Sequence, residues 1–110
     1  MTHLTTHILD ANSGRPATAV EVILAQVDAT GSTIIATGVT DDDGRLALGP
    51  DLLEPGTYAL TFDTGTYFAR LGTETFYPSA TVTFTVDASG RHYHVPLLLS
   101  PFAYSTYRGS

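Results

Sequence analysis

The chain has no cysteine, no tryptophan and no lysine. Without cysteine there is no disulfide frame, no thiolate nucleophile and no Cys-ligated zinc or iron–sulfur centre, and the redox compartment leaves no mark. Without lysine, Schiff-base chemistry and a phosphate-loop ammonium are excluded. Positive charge is scarce altogether: five arginines face eleven acidic residues, for a net charge of −6. That balance argues against a nucleic-acid groove. Long apolar runs are missing too. The longest, Val95 to Leu99, is of strand length and far below the ~20 residues that cross a bilayer, so no membrane partner is expected. The opening Met1-Thr2-His3-Leu4-Thr5-Thr6-His7 has neither the basic start nor the apolar centre of a secretory signal, which makes a soluble, cytoplasmic protein the expectation. What is present, 43% hydrophobic and 15% charged residues, is the composition of a folded globule. A length of 110 residues predicts a single domain, 1–110, that buries about two-thirds of its unfolded surface without a covalent staple.

The pattern along the chain is that of strands. Leu4, Thr6 and Ile8 share one face of a first run, with Thr5, His7 and Leu9 on the other. Further period-2 sets follow at Val20, Val22 and Leu24, at Ile35, Thr37 and Val39, and at Tyr58, Leu60 and Phe62. Val82, Phe84 and Val86 form another, as do Tyr93, Val95, Leu97 and Leu99, and a last strand is expected from Tyr104 to Arg108. Turn formers separate the runs, most clearly Asp41-Asp42-Asp43-Gly44 and Asp87-Ala88-Ser89-Gly90, where glycine tolerates positive φ. From Thr64 to Thr73 the spacing of Tyr67, Phe68 and Leu71 is helical. About eight strands and one short helix predict an all-β fold, a two-sheet antiparallel sandwich.

Few side chains carry chemistry. His92 and His94 lie two apart in a predicted strand and so share a face, opposite the core set of Tyr93, Val95 and Leu97. His7 likewise lies opposite Leu4 and Ile8. If these two strands share a sheet, imidazoles gather on its outer face; the residues alone leave open whether they form a site or are unrelated surface histidines. A His-x-His pair with a third histidine also fits a three-His zinc site, though two-residue spacing is common in strands. Arg45 follows the acidic turn and, taken alone, reads as a solvated counter-charge. The segment Tyr104 to Ser110 is less ordinary: Tyr107-Arg108-Gly109-Ser110 could present a phenol, a guanidinium, a hydroxyl and a terminal carboxylate together, where most chains fray.

In these residues the chain resembles the 5-hydroxyisourate hydrolases, transthyretin-like enzymes of urate degradation. The resemblance runs end to end. It is carried by Thr6-His7-Ile8-Leu9-Asp10 with Gly14-Arg15-Pro16-Ala17, by Thr40 with Asp43-Gly44-Arg45, and by Phe62-Asp63-Thr64-Gly65, Tyr67-Phe68 and Phe76-Tyr77-Pro78. The block from Tyr93-His94-Val95-Pro96 through Ser100-Pro101 to Tyr107-Arg108-Gly109-Ser110 is the most specific, because the hormone carrier transthyretin lacks the terminal tetrapeptide and the family histidines and arginine. Ala103 stands where many relatives have glycine. The resemblance implies a transthyretin-like sandwich assembled as a homotetramer, a dimer of dimers, with active sites where the faces carrying His7 and His94 meet.

It also implies a reaction without cofactor or metal: hydrolysis of the ring amide of 5-hydroxyisourate to 2-oxo-4-hydroxy-4-carboxy-5-ureidoimidazoline. His7 and His94 would activate water and move protons, since an unperturbed imidazole titrates near working pH. Arg45 would anchor the substrate and polarise its carbonyl. Tyr107 and Ser110 would position ring and water, Arg108 would help bind substrate, and His92 would stand outside the site. No side chain looks like an activated nucleophile, so water attacks directly. The alternative from another class is a transthyretin-like carrier that binds a small ligand without chemistry.

Overall fold

The structure is a computed structural model and describes residues 3–110. Two sheets pack face to face. One has four strands in the order β4 (Gly31–Val39), β3 (Glu21–Asp28), β6 (Gly56–Phe62), β7 (Ala80–Val86), all antiparallel. The other has five: β2 (Arg15–Pro16), β1 (Leu4–Asp10), β8 (Tyr93–Ser100) and β9 (Ala103–Thr106) in order, with β5 (Arg45–Ala47) also paired to β1. The two-sheet sandwich is thus as expected, with β2 and β5 as short additions. One pair departs from an all-antiparallel design: β1 and β8 run parallel, Leu4 beside Tyr93 through Asp10 beside Leu99. Chain reversals cannot join such neighbours, and the whole four-stranded sheet lies between them in sequence.

Period-2 alternation decides the faces. Leu4 and Ile8 on β1 and Tyr93, Val95, Leu97 and Leu99 on β8 are buried against Val22, Leu24, Leu60 and Phe62 of the opposite sheet. The outer face of the five-stranded sheet therefore carries Thr5, His7, Arg45 and His94. In β4 the alternating set comes out reversed. A bulge leaves Ile35 unpaired between Ala36, opposite Leu24, and Ile34, opposite Ala25. Ala36 packs on the core and Gly38 lies over Leu46 and Leu48, while Ile35, Thr37 and Val39 are exposed.

The helix α1 (Thr64–Arg70) is capped by Asp63, whose carboxylate accepts the Thr66 N–H, and it ends three residues before the expected Thr73 because the Gly72 and Thr73 amides fold back onto the Ala69 and Phe68 carbonyls. Its Tyr67 hydroxyl donates to the buried Asp10 carboxylate at 2.7 Å. Burial first, then that bond, pushes the phenol up to about 12. The last strand also stops early, at Thr106 instead of Arg108. Continuing its register would set Tyr107 opposite Pro96, which has no N–H to donate. Two residues further on the register resumes, and Gly109 N–H donates to the His94 carbonyl at 2.8 Å.

Candidate active site

Three strands place the site. On β1, Thr5 and His7 point outward; β5 brings Arg45 directly opposite His7, and β8 brings His94 beside Thr5. Arg45 depends on the turn before it. The Asp41 carboxylate accepts the N–H groups of Asp43 and Arg45, each at 2.9 Å. Gly44 has φ of 74° and approaches β1 so closely that a β-carbon would stand 2.5 Å from the Ile8 carbonyl oxygen. Only glycine fits there. Asp41 is thereby engaged by backbone, and among the described residues nothing hydrogen-bonds or ion-pairs with the Arg45 guanidinium. It is not the counter-charge that its place in the sequence suggested.

A cleft of about 540 Å³ opens over these strands, with Thr5, Arg45, His94 and Ser110 on its wall and Val39 and Leu46 as apolar flanks. His94 is half-buried. Its Nδ1 lies 2.8 Å from Thr5 Oγ1, and Gly109 backs directly onto the ring. Burial first, and then the charges of His7, His92 and Arg45, hold His94 below the ordinary 6.5. An imidazole kept neutral beside an unpaired guanidinium can accept a proton from water while the guanidinium holds a carbonyl oxygen or an oxyanion.

The expected residues divide into two groups. Arg45, His94 and Ser110 meet in the cleft, and His7 stands beside Arg45 on the ladder, near enough for its charge to act on His94. Tyr107 and Arg108 instead line a neighbouring space of about 330 Å³, with His94 in both linings. The Arg108 guanidinium stacks 4.6 Å from the centre of the Tyr93 ring. Two residues escaped sequence reasoning. Thr5 shares the outward face of His7, so the same alternation would have found it. His3 is buried, with Nδ1 accepting the Leu53 N–H at 2.8 Å and Nε2 donating to the Arg91 carbonyl at 2.6 Å, an imidazole closed off in a structural role.

Fold and site together define a transthyretin-like β-sandwich with a His–Arg cleft on the outer face of one sheet. The chain belongs to the HIUase/Transthyretin family, which it matches over residues 4–109. It is 50% identical over 109 residues to the 5-hydroxyisourate hydrolase of Salmonella dublin, covering 97% of this chain and 80% of that relative. Among solved structures, Klebsiella pneumoniae 5-hydroxyisourate hydrolase superposes with a TM-score of 0.88 at 40% identity, covering 100% of this chain and 94% of that one. Sea bream transthyretin in complex with thyroxine gives a TM-score of 0.90 at 39% identity, covering 97% and 94%.

Proposed function

We propose that the protein hydrolyses 5-hydroxyisourate. The observation that carries this reading is the convergence of Arg45, His94 and Ser110 on one cleft, in a chain half-identical to a protein named for that reaction. The Arg45 guanidinium holds the oxygen of the scissile carbonyl. Neutral His94 takes a proton from water, whose oxygen bonds to the carbonyl carbon. The C–N bond of the ring then breaks, and the nitrogen leaves with a proton from an imidazolium, His7 or His94. Ser110 positions water, and Tyr107 and Arg108 close the neighbouring side. No metal or cofactor enters the scheme, so chelation is expected to leave turnover unchanged.

The likeness to a transthyretin holding thyroxine favours one other reading, a carrier without chemistry. A carrier has no need of a neutral imidazole beside a free guanidinium. One domain is taken as the catalytic unit and four copies as the assembly, a dimer of dimers closing the cleft face. That assembly rests on membership of the HIUase/Transthyretin family. Cytoplasm is the setting proposed; among the described residues no helix is long and apolar enough to cross a membrane. The deciding experiment generates 5-hydroxyisourate from urate with uricase and follows its decay. The protein should accelerate decay well beyond the spontaneous rate, and His94→Ala and His7→Ala should each remove about 10²–10⁴-fold of that acceleration. Decay at the spontaneous rate, with ligand binding intact, would leave the carrier.

A further inference from the structure

Thr5 touches two histidines at once. Its Oγ1 lies 2.8 Å from His94 Nδ1 and 2.8 Å from His92 Nε2, although His92 is exposed and lies just outside β8. A threonine hydroxyl has one proton. It can donate to only one of the two rings, so the other ring must be protonated at the nitrogen facing it. With both rings neutral and the Thr5 proton given to one of them, two arrangements exist. In one, His94 Nδ1–H donates to Thr5 and Thr5 donates to His92 Nε2, which leaves His94 Nε2 with a free lone pair. In the other, every donation is reversed, and His94 Nε2 carries a proton and cannot act as a base. If both rings instead donate to the two lone pairs of Oγ1, His94 again carries its proton on Nδ1.

We infer that Thr5 and His92 are positioning residues that set the tautomer of His94, holding its proton on Nδ1 and its basic lone pair on Nε2. The inference rests on the hydrolase reading above, which needs His94 to accept a proton at the edge of its ring that Thr5 does not occupy. Three observations favour the first arrangement. Among the described residues no group hydrogen-bonds His94 Nε2, so that atom is left for water or substrate. Arg45 lines the same cleft, and a lone pair facing a guanidinium is preferred over an N–H facing one. His92, being exposed, can turn its remaining N–H to water at no cost. The other charged groups around His94 are His7 on β1 and Arg45 on β5, with Asp41 also on the cleft wall. When His94 takes the proton from water at Nε2, its Nδ1–H is already bonded to Thr5, so the imidazolium forms without rearrangement.

The test reads tautomers directly. In enzyme labelled with ¹⁵N-histidine, with His94 assigned through His94→Gln, the imidazole nitrogen shifts at neutral pH should show His94 protonated on Nδ1. Thr5→Val keeps the shape of a β-branched residue in a strand and removes only the hydroxyl. It should move His94 toward the Nε2–H form and lower kcat roughly tenfold, the worth of one hydrogen bond, and Thr5→Ser should restore both. His92→Phe should shift the same equilibrium with a loss of less than about tenfold, since water can replace an exposed acceptor. A wild-type His94 protonated on Nε2 overturns the inference. So does a Thr5→Val enzyme that loses activity with its His94 tautomer unmoved, and an unmoved tautomer in His92→Phe removes His92 from it. A wild-type protein with the expected tautomers and no turnover would instead fault the hydrolase reading, so the two failures are told apart.

Discussion

Replacing Gly109 by alanine adds one methyl group at the back of the His94 ring. That β-carbon would overlap His94 Cδ2 and stand 3.2 Å from Cγ and 3.3 Å from the carbonyl oxygen, against 3.4–4 Å for ordinary contact. The ring has little freedom to retreat: Nδ1 is bonded to Thr5 at 2.8 Å, and the His94 carbonyl is tied to Gly109 itself at 2.8 Å. Either the imidazole or the tail must give way by about 1 Å, and a misplacement of that size at a reacting group costs roughly 10²-fold in rate. We therefore expect kcat to fall about a hundredfold on enzymatically generated 5-hydroxyisourate, corrected for spontaneous decay. The Tm should stay near the wild-type value, because the tail lies outside the buried core. Ser110→Ala, which removes a hydroxyl from the same tail without pressing on the ring, should lose less. A Gly109→Ala enzyme with kcat within about threefold of wild type would mean that the tail does not seat His94, and the steric reasoning would fail.

Titration offers another check. Because burial and neighbouring positive charge hold His94 below the ordinary 6.5, its neutral form persists as pH falls through that value. The acid limb of kcat/KM should accordingly have its midpoint under 6.5 and move upward in Arg45→Gln, where one repelling charge is gone; a midpoint above 6.5 in wild type would contradict the assignment. Arg45→Lys should lower kcat and kcat/KM together, since an ammonium cannot reproduce the guanidinium fork on a carbonyl gaining charge. A rise in KM alone would make Arg45 a uniform binder. Tyr67→Phe should cost about 1–3 kcal/mol in urea unfolding by leaving a buried Asp10 oxygen without its donor. Its kcat should not change, because Asp10 stands at the opposite end of β1 from Thr5.

What could be read in the sequence, and what could not, follows from the range of the interactions concerned. Alternation is a local property, and it placed Leu4, Thr6 and Ile8 inward and His7 and His94 outward without knowledge of any partner strand. The Asp-Asp-Asp-Gly turn was equally legible, because the φ of 74° at Gly44 is a demand that one residue answers. Arg45 in that turn looked like a counter-charge until the backbone was seen to occupy Asp41, so its role came from family resemblance and not from spacing. The bulge at Ile35 was hidden for another reason: a single extra residue in one strand reverses every side chain beyond it, and no propensity marks where it falls. The parallel pairing of β1 with β8 was the most distant fact of all. It joins Thr5 to His94 across 89 residues, and only that pairing turns two histidines and a threonine, each unremarkable on its own strand, into one hydrogen-bonded group. Alternation supplies the face on which a side chain stands, while its neighbours on that face come from register. A site built across a ladder is therefore legible residue by residue but not as a network, which is why His92, set aside in the sequence, returns through the hydroxyl of Thr5.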